Sequence, residues 1–376
     1  MSGDPREPET IALRSVSGFV VFDLPGAPLS AGGTRLAPDV SRAEVALLAR
    51  AMTYKFAALG AQIGGAKAGV VGDAGDPVAR AERMARYCAE IRPLVEAGRF
   101  LTGPDMGTSE DDFAPLREGR AAPAAISAVI ASAAGGVPFE DVLTGYGVVV
   151  AAETALRAGR DGGRAGRDGG LAGLSVAIEG FGKVGGGVAR EVAARGGLVV
   201  GASTVAGCIL DPSGLDVDRL LALRRDHGDE CVAHYGLEVG PPGRLFTAAD
   251  ADVVVPGARP GVIDGRIAGS LPPSVQVVAP AANVPYTAEG AGVLRQRGIL
   301  ALPDFVCNAG AVIGYRSAPD ATPERVLADV EDTITEIIDE ALGHPGGPLE
   351  GACERAAGFL RGWWGDPPGP PFAGPA

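Results

Sequence analysis

Lysine is almost missing from this chain. Lys55, Lys67 and Lys183 are the only three, and every other basic residue apart from histidine is arginine. Arginine keeps its proton near neutral pH, whereas a buried lysine can release one. Chemistry that needs an amine able to deprotonate is therefore confined to three positions. Positive charge is scarce too. The formal net charge is −13, which disfavours a nucleic-acid partner, because binding to a phosphate backbone rests on clustered cations. Cysteine offers no framework: Cys88, Cys208, Cys231, Cys307 and Cys353 are dispersed with no C-x-x-C pair. That pattern reads as reduced thiols in a cytoplasmic protein, without disulfides or a zinc site, and no metal is expected. No run of about 18 apolar residues occurs, so no membrane-spanning helix is expected. The opening M-S-G-D-P-R-E-P-E-T lacks the basic-then-apolar profile of a signal peptide. Glycine and proline, in contrast, are plentiful at 58 and 30 residues. A length of 376 residues suits two domains, each able to bury a core.

Two of the three lysines fall between Ser41 and Asp73. Ser41 and Glu44 spell an S-x-x-E capping box, which starts a helix. Val45, Leu48, Met52, Phe56 and Leu59 recur at helical spacing and mark its buried stripe. Lys55 lies three residues after Met52 and seven after Leu48, so it points with that stripe. Gly60 is the helix stop. Gly64-Gly65-Ala66-Lys67-Ala68-Gly69 then presents Lys67 among small residues, where a backbone or ligand can come close. For either lysine alone, a snorkelling or solvated side chain is an equal alternative.

Along the chain, residues 1–10 read as a frayed tail and Ser15–Leu24 as a strand. A second helix carries Met84, Tyr87, Cys88, Ile91 and Leu94 on one face, and Asp105 follows in a glycine-flanked turn after a short apolar strand. A helix is expected from Thr144, and the glycine–arginine segment 158–170 reads as a surface loop. Leu174–Glu179 is a hydrophobic strand that leads through G-F-G-K-V-G into a helix. That is the strand–turn–helix context of a dinucleotide fingerprint. Gly180 makes the tight turn, Gly182 admits a pyrophosphate at the helix N-terminus, and Gly185 allows close helix–strand packing. Lys183 meets either a phosphate or solvent. The next strand ends in Ser203-Thr204 where an acid would hold the ribose of NAD, so NAD and NADP both stay open. Further strands over 252–258, 275–283 and 298–304 imply a parallel sheet. Asn308 opens a helix, Thr322-Pro323 starts a long one, and the terminal G-D-P-P-G-P-P-F-A-G-P-A reads as disordered.

Taken in order, G-G-T-R (32–35), M-T-Y-K (52–55), G-G-A-K-A-G (64–69), P-D-M-G-T (104–108), T-G-Y-G-V (144–148), G-F-G-K-V-G (180–185), P-G-A (256–258), A-A-N (281–283) and P-D-F-V-C-N-A-G (303–310) resemble the glutamate/leucine/phenylalanine/valine dehydrogenases. The resemblance spans about residues 15–345. It implies an α/β chain with an N-terminal substrate and oligomerisation domain (1–140) and a Rossmann-like, doubly wound dinucleotide-binding domain (141–321). A C-terminal helix (322–362) would pack back on the first domain, and 363–376 would form a disordered tail. It further implies reversible oxidative deamination of an L-amino acid to a 2-oxo acid and ammonium with NAD or NADP, in a cleft between the domains of a homo-oligomer. Lys55 resembles the lysine that binds the substrate α-carboxylate. Lys67 resembles the catalytic lysine, whose lowered pKa lets it activate water and stabilise the carbinolamine. Asp105 resembles the carboxylate that shuttles protons to and from the amine. The cofactor would lie against Gly180, Phe181, Gly182, Lys183, Val184 and Gly185, with Thr144, Ser203, Thr204, Pro256, Gly257, Ala258, Asn283 and Asn308 around it.

Departures from the family point to the substrate. Glutamate enzymes typically carry a lysine just before G-G and a serine after N-A-G-G-V. Here Ala31 precedes Gly32, and Gly314 and Tyr315 stand near the second position. An acidic side chain would lack its partner, so Ala31 and Gly32 are expected to face an apolar or aromatic one. Two further readings stay open: a divergent relative acting on an unusual amino or oxo acid, and a non-catalytic nucleotide-binding homologue. A 2-hydroxy-acid dehydrogenase is disfavoured, because His227, His234 and His344 lie outside these motifs.

Overall fold

The computed structural model describes residues 7–117, 133–134, 137–158, 170–318 and 320–372. The chain divides into two compact units, Met1–Ala124 with Arg355–Pro371, and Ala125–Glu354 with Phe372–Ala376.

The first unit is a sheet between helices. Its strands are β1 (Glu9–Ala12), β2 (Gly18–Phe22), β3 (Ser30–Ala31), β4 (Thr34–Ala37), β5 (Gly64–Val71) and β6 (Phe100–Leu101). They run in the order β1-β2-β5-β3-β6, with β4 also paired to β5. Alternation along each strand sorts side chains onto two faces. Val20, Phe22, Ala66, Ala68 and Val70 pack with Met84, Tyr87, Cys88 and Ile91 of helix α2 (Pro77–Glu96). Val21, Ala37 and Val40 pack on the other face with Val45 and Ala49 of helix α1 (Arg42–Ala58). The fully buried valine, isoleucine, phenylalanine and methionine side chains among them each contribute about 1.5–3 kcal/mol. Lys67, one residue out of phase with Ala66 and Ala68, therefore leaves the sheet on the α1 face.

The second unit carries a six-stranded sheet in the order β11-β10-β9-β12-β13-β14, beside a small β7–β8 pair (Ala133–Ala134, Val137–Pro138). Its strands are β9 (Ser175–Glu179), β10 (Leu198–Thr204), β11 (Gly207–Leu210), β12 (Val253–Pro256), β13 (Val277–Val278) and β14 (Leu300–Ala301). All neighbours pair in parallel except β10 and β11. Runs such as Val253–Val255 are buried throughout, as a parallel sheet covered on both faces requires. No helix among the described residues is long and apolar enough to cross a membrane.

Several expectations change. Glu9–Ala12 is a strand paired antiparallel to β2, not part of a frayed tail; its order comes from pairing, which four residues cannot announce. The helix expected from Thr144 begins at Phe139. Asn308 ends the short Asp304–Cys307 helix, and the next begins at Gly310. The Pro323–Leu342 helix stays in the second unit, where the Tyr146 hydroxyl donates to Glu331 and a Cβ on Gly147 would meet Ile334 Cδ1 at 2.7 Å. Only Arg355–Pro371 joins the first unit. The proline-rich end is placed as far as 372. The Tyr54 hydroxyl donates to Pro368 O at 2.7 Å and Arg50 to Gly369 O at 3.0 Å, which satisfies carbonyls that composition alone would leave to water. Residues 159–169 of the glycine–arginine segment lie outside the described residues.

Candidate active site and dinucleotide cradle

The register around β5 explains how Asp105 reaches Lys67. Ala31 pairs with Gly65 and Thr34 with Ala68, so β3 and β4 hold one register across Gly32 and Gly33. A Cβ on Gly32 would lie 1.7 Å from Ala66 O, and one on Gly33 would lie 2.7 Å from Pro104 O and 3.0 Å from the Cβ of Asp105. Both glycines are needed for that close approach. The gap admits the 104–108 turn, which Thr108 fixes: its Oγ1 accepts from the Asp105 N–H at 2.9 Å and donates to Thr34 O at 2.9 Å. Lys67 Nζ then stands 3.1 Å from Asp105 Oδ2, with the lysine side chain only 5% exposed. Burial pushes the Asp105 carboxyl up, but Lys67, Arg35 and the Met106 amide outweigh it and hold it down to about 2.

Lys55 is also buried. Helix α1 can lie against β5 because residue 65 is glycine, where a Cβ would sit 1.9 Å from Ala49 O. Thr53 locks this contact, accepting from the Gly65 N–H at 3.0 Å and donating to Asp23 at 2.6 Å. Lys55 and Lys67 thus belong to two elements in direct contact, and Lys67 leaves β5 on the α1 side. Ala31 pairs in register with Leu101 of β6 as well, so both side chains leave the same sheet face as Lys67.

Two charged residues of this site escaped the sequence reading. Arg35, in the G-G-T-R motif, carries a 10% exposed side chain whose Nε lies 3.2 Å from Asp105 Oδ2. Its other edge binds Glu44. Ser41 does cap α1, accepting from the Glu44 N–H at 3.2 Å, but the Glu44 carboxylate turns to Arg35. The capping-box spacing gave Glu44 a sufficient local reason and hid the distant one.

In the second unit, the glycine turn has the geometry its spacing implied. Gly180 has φ of +79°, and a Cβ there would sit 2.7 Å from the Gly257 carbonyl carbon. Gly182 caps the Lys183–Ala194 helix, and a Cβ on it would meet nothing within 4 Å, leaving the helix N-terminus open to a phosphate. A Cβ on Gly185 would be 2.4 Å from Gly180 O, so the third glycine serves packing. Glu179 joins the turn to the next strand end: its Oε2 accepts from the Gly257 and Ala258 N–H groups at 2.9 and 2.8 Å. The open helix N-terminus beside the glycine turn fits the pyrophosphate of NAD or NADP.

The other expected cofactor residues differ in what they leave available. Phe181 is fully buried and its N–H donates to Ser203 O at 2.7 Å, so its ring belongs to the core. Lys183 and Val184 begin the helix. Burial pushes the Asp141 carboxyl up to about 6 despite the nearby Lys183 cation. Thr144 Oγ1 donates to Glu140 O. Ser203 is buried. The Thr204 hydroxyl donates to Asp229 O at 2.6 Å and accepts from the Ala206 N–H, so it fastens the hairpin and the 228–230 turn. Pro256 closes β12, and Asn308 Nδ2 donates to Asn283 Oδ1 at 3.0 Å. Beside Asn283, Val284 adopts φ of +53° and its N–H donates to Asp304 Oδ2 at 2.8 Å. A β-branched residue in that region costs about 1–3 kcal/mol, a strain found where a site requires it.

Comparison with known proteins identifies the family of both units. Residues 135–335 match the Glutamate/Leucine/Phenylalanine/Valine dehydrogenase family model, and residues 20–119 match that of the Glu/Leu/Phe/Val dehydrogenase dimerisation domain. Glutamate dehydrogenase A2 of Halobacterium salinarum is 32% identical over 328 residues, covering 83% of this chain and 75% of the relative. NADP-specific glutamate dehydrogenase A1 of the same organism is 29% identical over 324 residues, covering 82% and 75%. The leucine-bound crystal structure of hetero-hexameric glutamate dehydrogenase from Thermus thermophilus superposes with a TM-score of 0.76 at 25% identity, covering 94% of this chain and 86% of that one. The chain belongs to the glutamate/leucine/phenylalanine/valine dehydrogenase family of NAD(P)-dependent amino acid dehydrogenases.

Proposed function

We propose that this chain reversibly oxidises an L-amino acid with an apolar or aromatic side chain to the 2-oxo acid and ammonium. Lys67 and Asp105 are the proton-transferring pair, and Lys55 receives the substrate α-carboxylate. The observation that carries this reading is the 3.1 Å contact between Lys67 Nζ and Asp105 Oδ2, a buried amine and carboxylate between which protons can pass. The bound cofactor supplies the hydride acceptor. The chain's own residues take up the α-carboxylate charge, hold the amino group and move its protons.

The apolar preference rests on residue 31. The relatives named above act on glutamate, and glutamate enzymes of the family typically carry lysine where this chain has Ala31. Leu101, in register with Ala31 and 51% exposed, extends the apolar surface. A substrate carboxylate placed there would lose water without gaining a partner. Measured kcat/KM for leucine, valine, phenylalanine and glutamate tests this. At least one apolar substrate should exceed glutamate about tenfold, and Ala31→Lys should narrow that ratio, since one ionic contact is worth about 1.5–3 kcal/mol. A clear preference of the unmodified chain for glutamate would refute the assignment. The same reading makes the chain a homo-oligomer assembled through residues 20–119, which light scattering checks: a monomer mass contradicts it.

A further inference from the structure

The geometry points to Arg35 as a positioning residue of the reaction: anchored by Glu44, it fixes the Asp105 carboxylate against Lys67 and sets how firmly that carboxylate holds a proton. This rests on Lys67 and Asp105 being the catalytic pair.

Asp105 Oδ2 is approached by two cations, Lys67 Nζ at 3.1 Å and Arg35 Nε at 3.2 Å. They come from β5 and β4, and behind Arg35 stands Glu44 of α1, bound to the NH1 edge of the same guanidinium. Charge thus alternates from Lys67 through Asp105 and Arg35 to Glu44. Lys67 and Arg35 are the cations that hold Asp105 ionised, and Glu44 reaches it through Arg35. Arginine suits the middle position because its planar fork grips two carboxylates at once in a fixed geometry, which an ammonium cannot do. Arg35 is itself immobilised, with a 10% exposed side chain on a strand paired along its length to β5. Thr108 holds the backbone of the turn; Lys67 alone would hold the Asp105 carboxylate at one point, and Arg35 adds the second.

The charges make opposite predictions for the two outer members. A cation next to a carboxylate lowers its pKa by about 1–3 units. Removing the Arg35 charge therefore raises the Asp105 pKa, and removing the Glu44 charge leaves Arg35 unopposed and lowers it.

The experiment is the pH profile of kcat/KM for the full-length chain and for Arg35→Gln, Arg35→Lys, Glu44→Gln and Lys67→Ala, with the best amino-acid substrate found. In Arg35→Gln the acid limb should rise by about one unit, and kcat should fall about tenfold with KM changed less. Arg35→Lys should return the limb toward that of the unmodified chain without restoring kcat. Glu44→Gln should move the limb down. Limbs unmoved in both Arg35→Gln and Glu44→Gln, or moved in the same direction, would overturn the inference. Should Arg35→Gln fail to fold, Glu44→Gln decides alone: its side chain is 29% exposed, and an unmoved limb counts against the inference. Lys67→Ala separates the two levels. A kcat that falls less than about tenfold in Lys67→Ala sinks the catalytic pair itself, whereas a loss of about 10²-fold or more with unmoved limbs elsewhere removes only the role of Arg35.

Discussion

Replacing Lys67 with alanine is expected to lower kcat by about 10²–10⁴-fold, the contribution of a positioned proton-transfer group. The fold should survive. Without Lys67, Asp105 keeps Arg35 at 3.2 Å, so no bare charge is left in the core, and stripping a buried carboxylate of every partner is what costs about 3–5 kcal/mol. Lys67→Arg sharpens the test. It preserves the positive charge but offers a group that does not deprotonate near neutral pH. If Lys67 works by exchanging a proton, arginine is as inactive as alanine. If it works only as a fixed charge, arginine rescues. Steady-state kinetics read the loss, and circular dichroism reads the fold.

Asp105→Asn should cost both activity and acid-dependent stability. The carboxyl of Asp105 is held down to about 2 from an ordinary 3.8, a difference corresponding to about 2 kcal/mol. The sign follows from the direction of the shift. A depressed carboxyl contributes fully above its unfolded pKa, near 3.8, and loses that contribution as pH falls through about 2. At pH 7 the asparagine variant should therefore unfold about 2 kcal/mol more easily, with the gap closing between about pH 4 and pH 2. Denaturant unfolding at several pH values reads this directly. A gap that stays constant with pH would mean that Asp105 is not held ionised by Lys67 and Arg35.

Local chemistry made much of the molecule legible. The glycine turn could be read because its three glycines do separate jobs: Gly180 makes the tight turn and Gly185 the close helix–strand contact, while Gly182 leaves open space at the helix start. Helix α1 could be read from Ser41 and the buried stripe. The Pro323–Leu342 helix announced its buried face through Val326, Val330, Ile334, Ile337 and Ile338. Periodicity says that a face is covered, not by what, and this helix joined the second unit, not the first. Lys67 and Asp105 were legible only as members of an ordered motif set, since 38 positions separate them and nothing local draws one to the other. Arg35 and Glu44 were hidden for the opposite reason. Glu44 had a complete local explanation in the capping box, and Arg35 was one arginine among many. Thr204 was singled out for the acid it replaces, yet its hydroxyl is spent on Asp229 O, a bond set by the tertiary fold.

The most direct measurement is the appearance of reduced cofactor when the purified full-length chain is mixed with NAD or NADP and a panel of L-amino acids at alkaline pH. The expected result is reduction with at least one amino acid, slowed at least about 10²-fold when Lys67 is alanine. Nucleotide binding without turnover of any amino acid, or of any 2-oxo acid with ammonium in the reverse direction, would contradict the assignment of Lys55, Lys67 and Asp105.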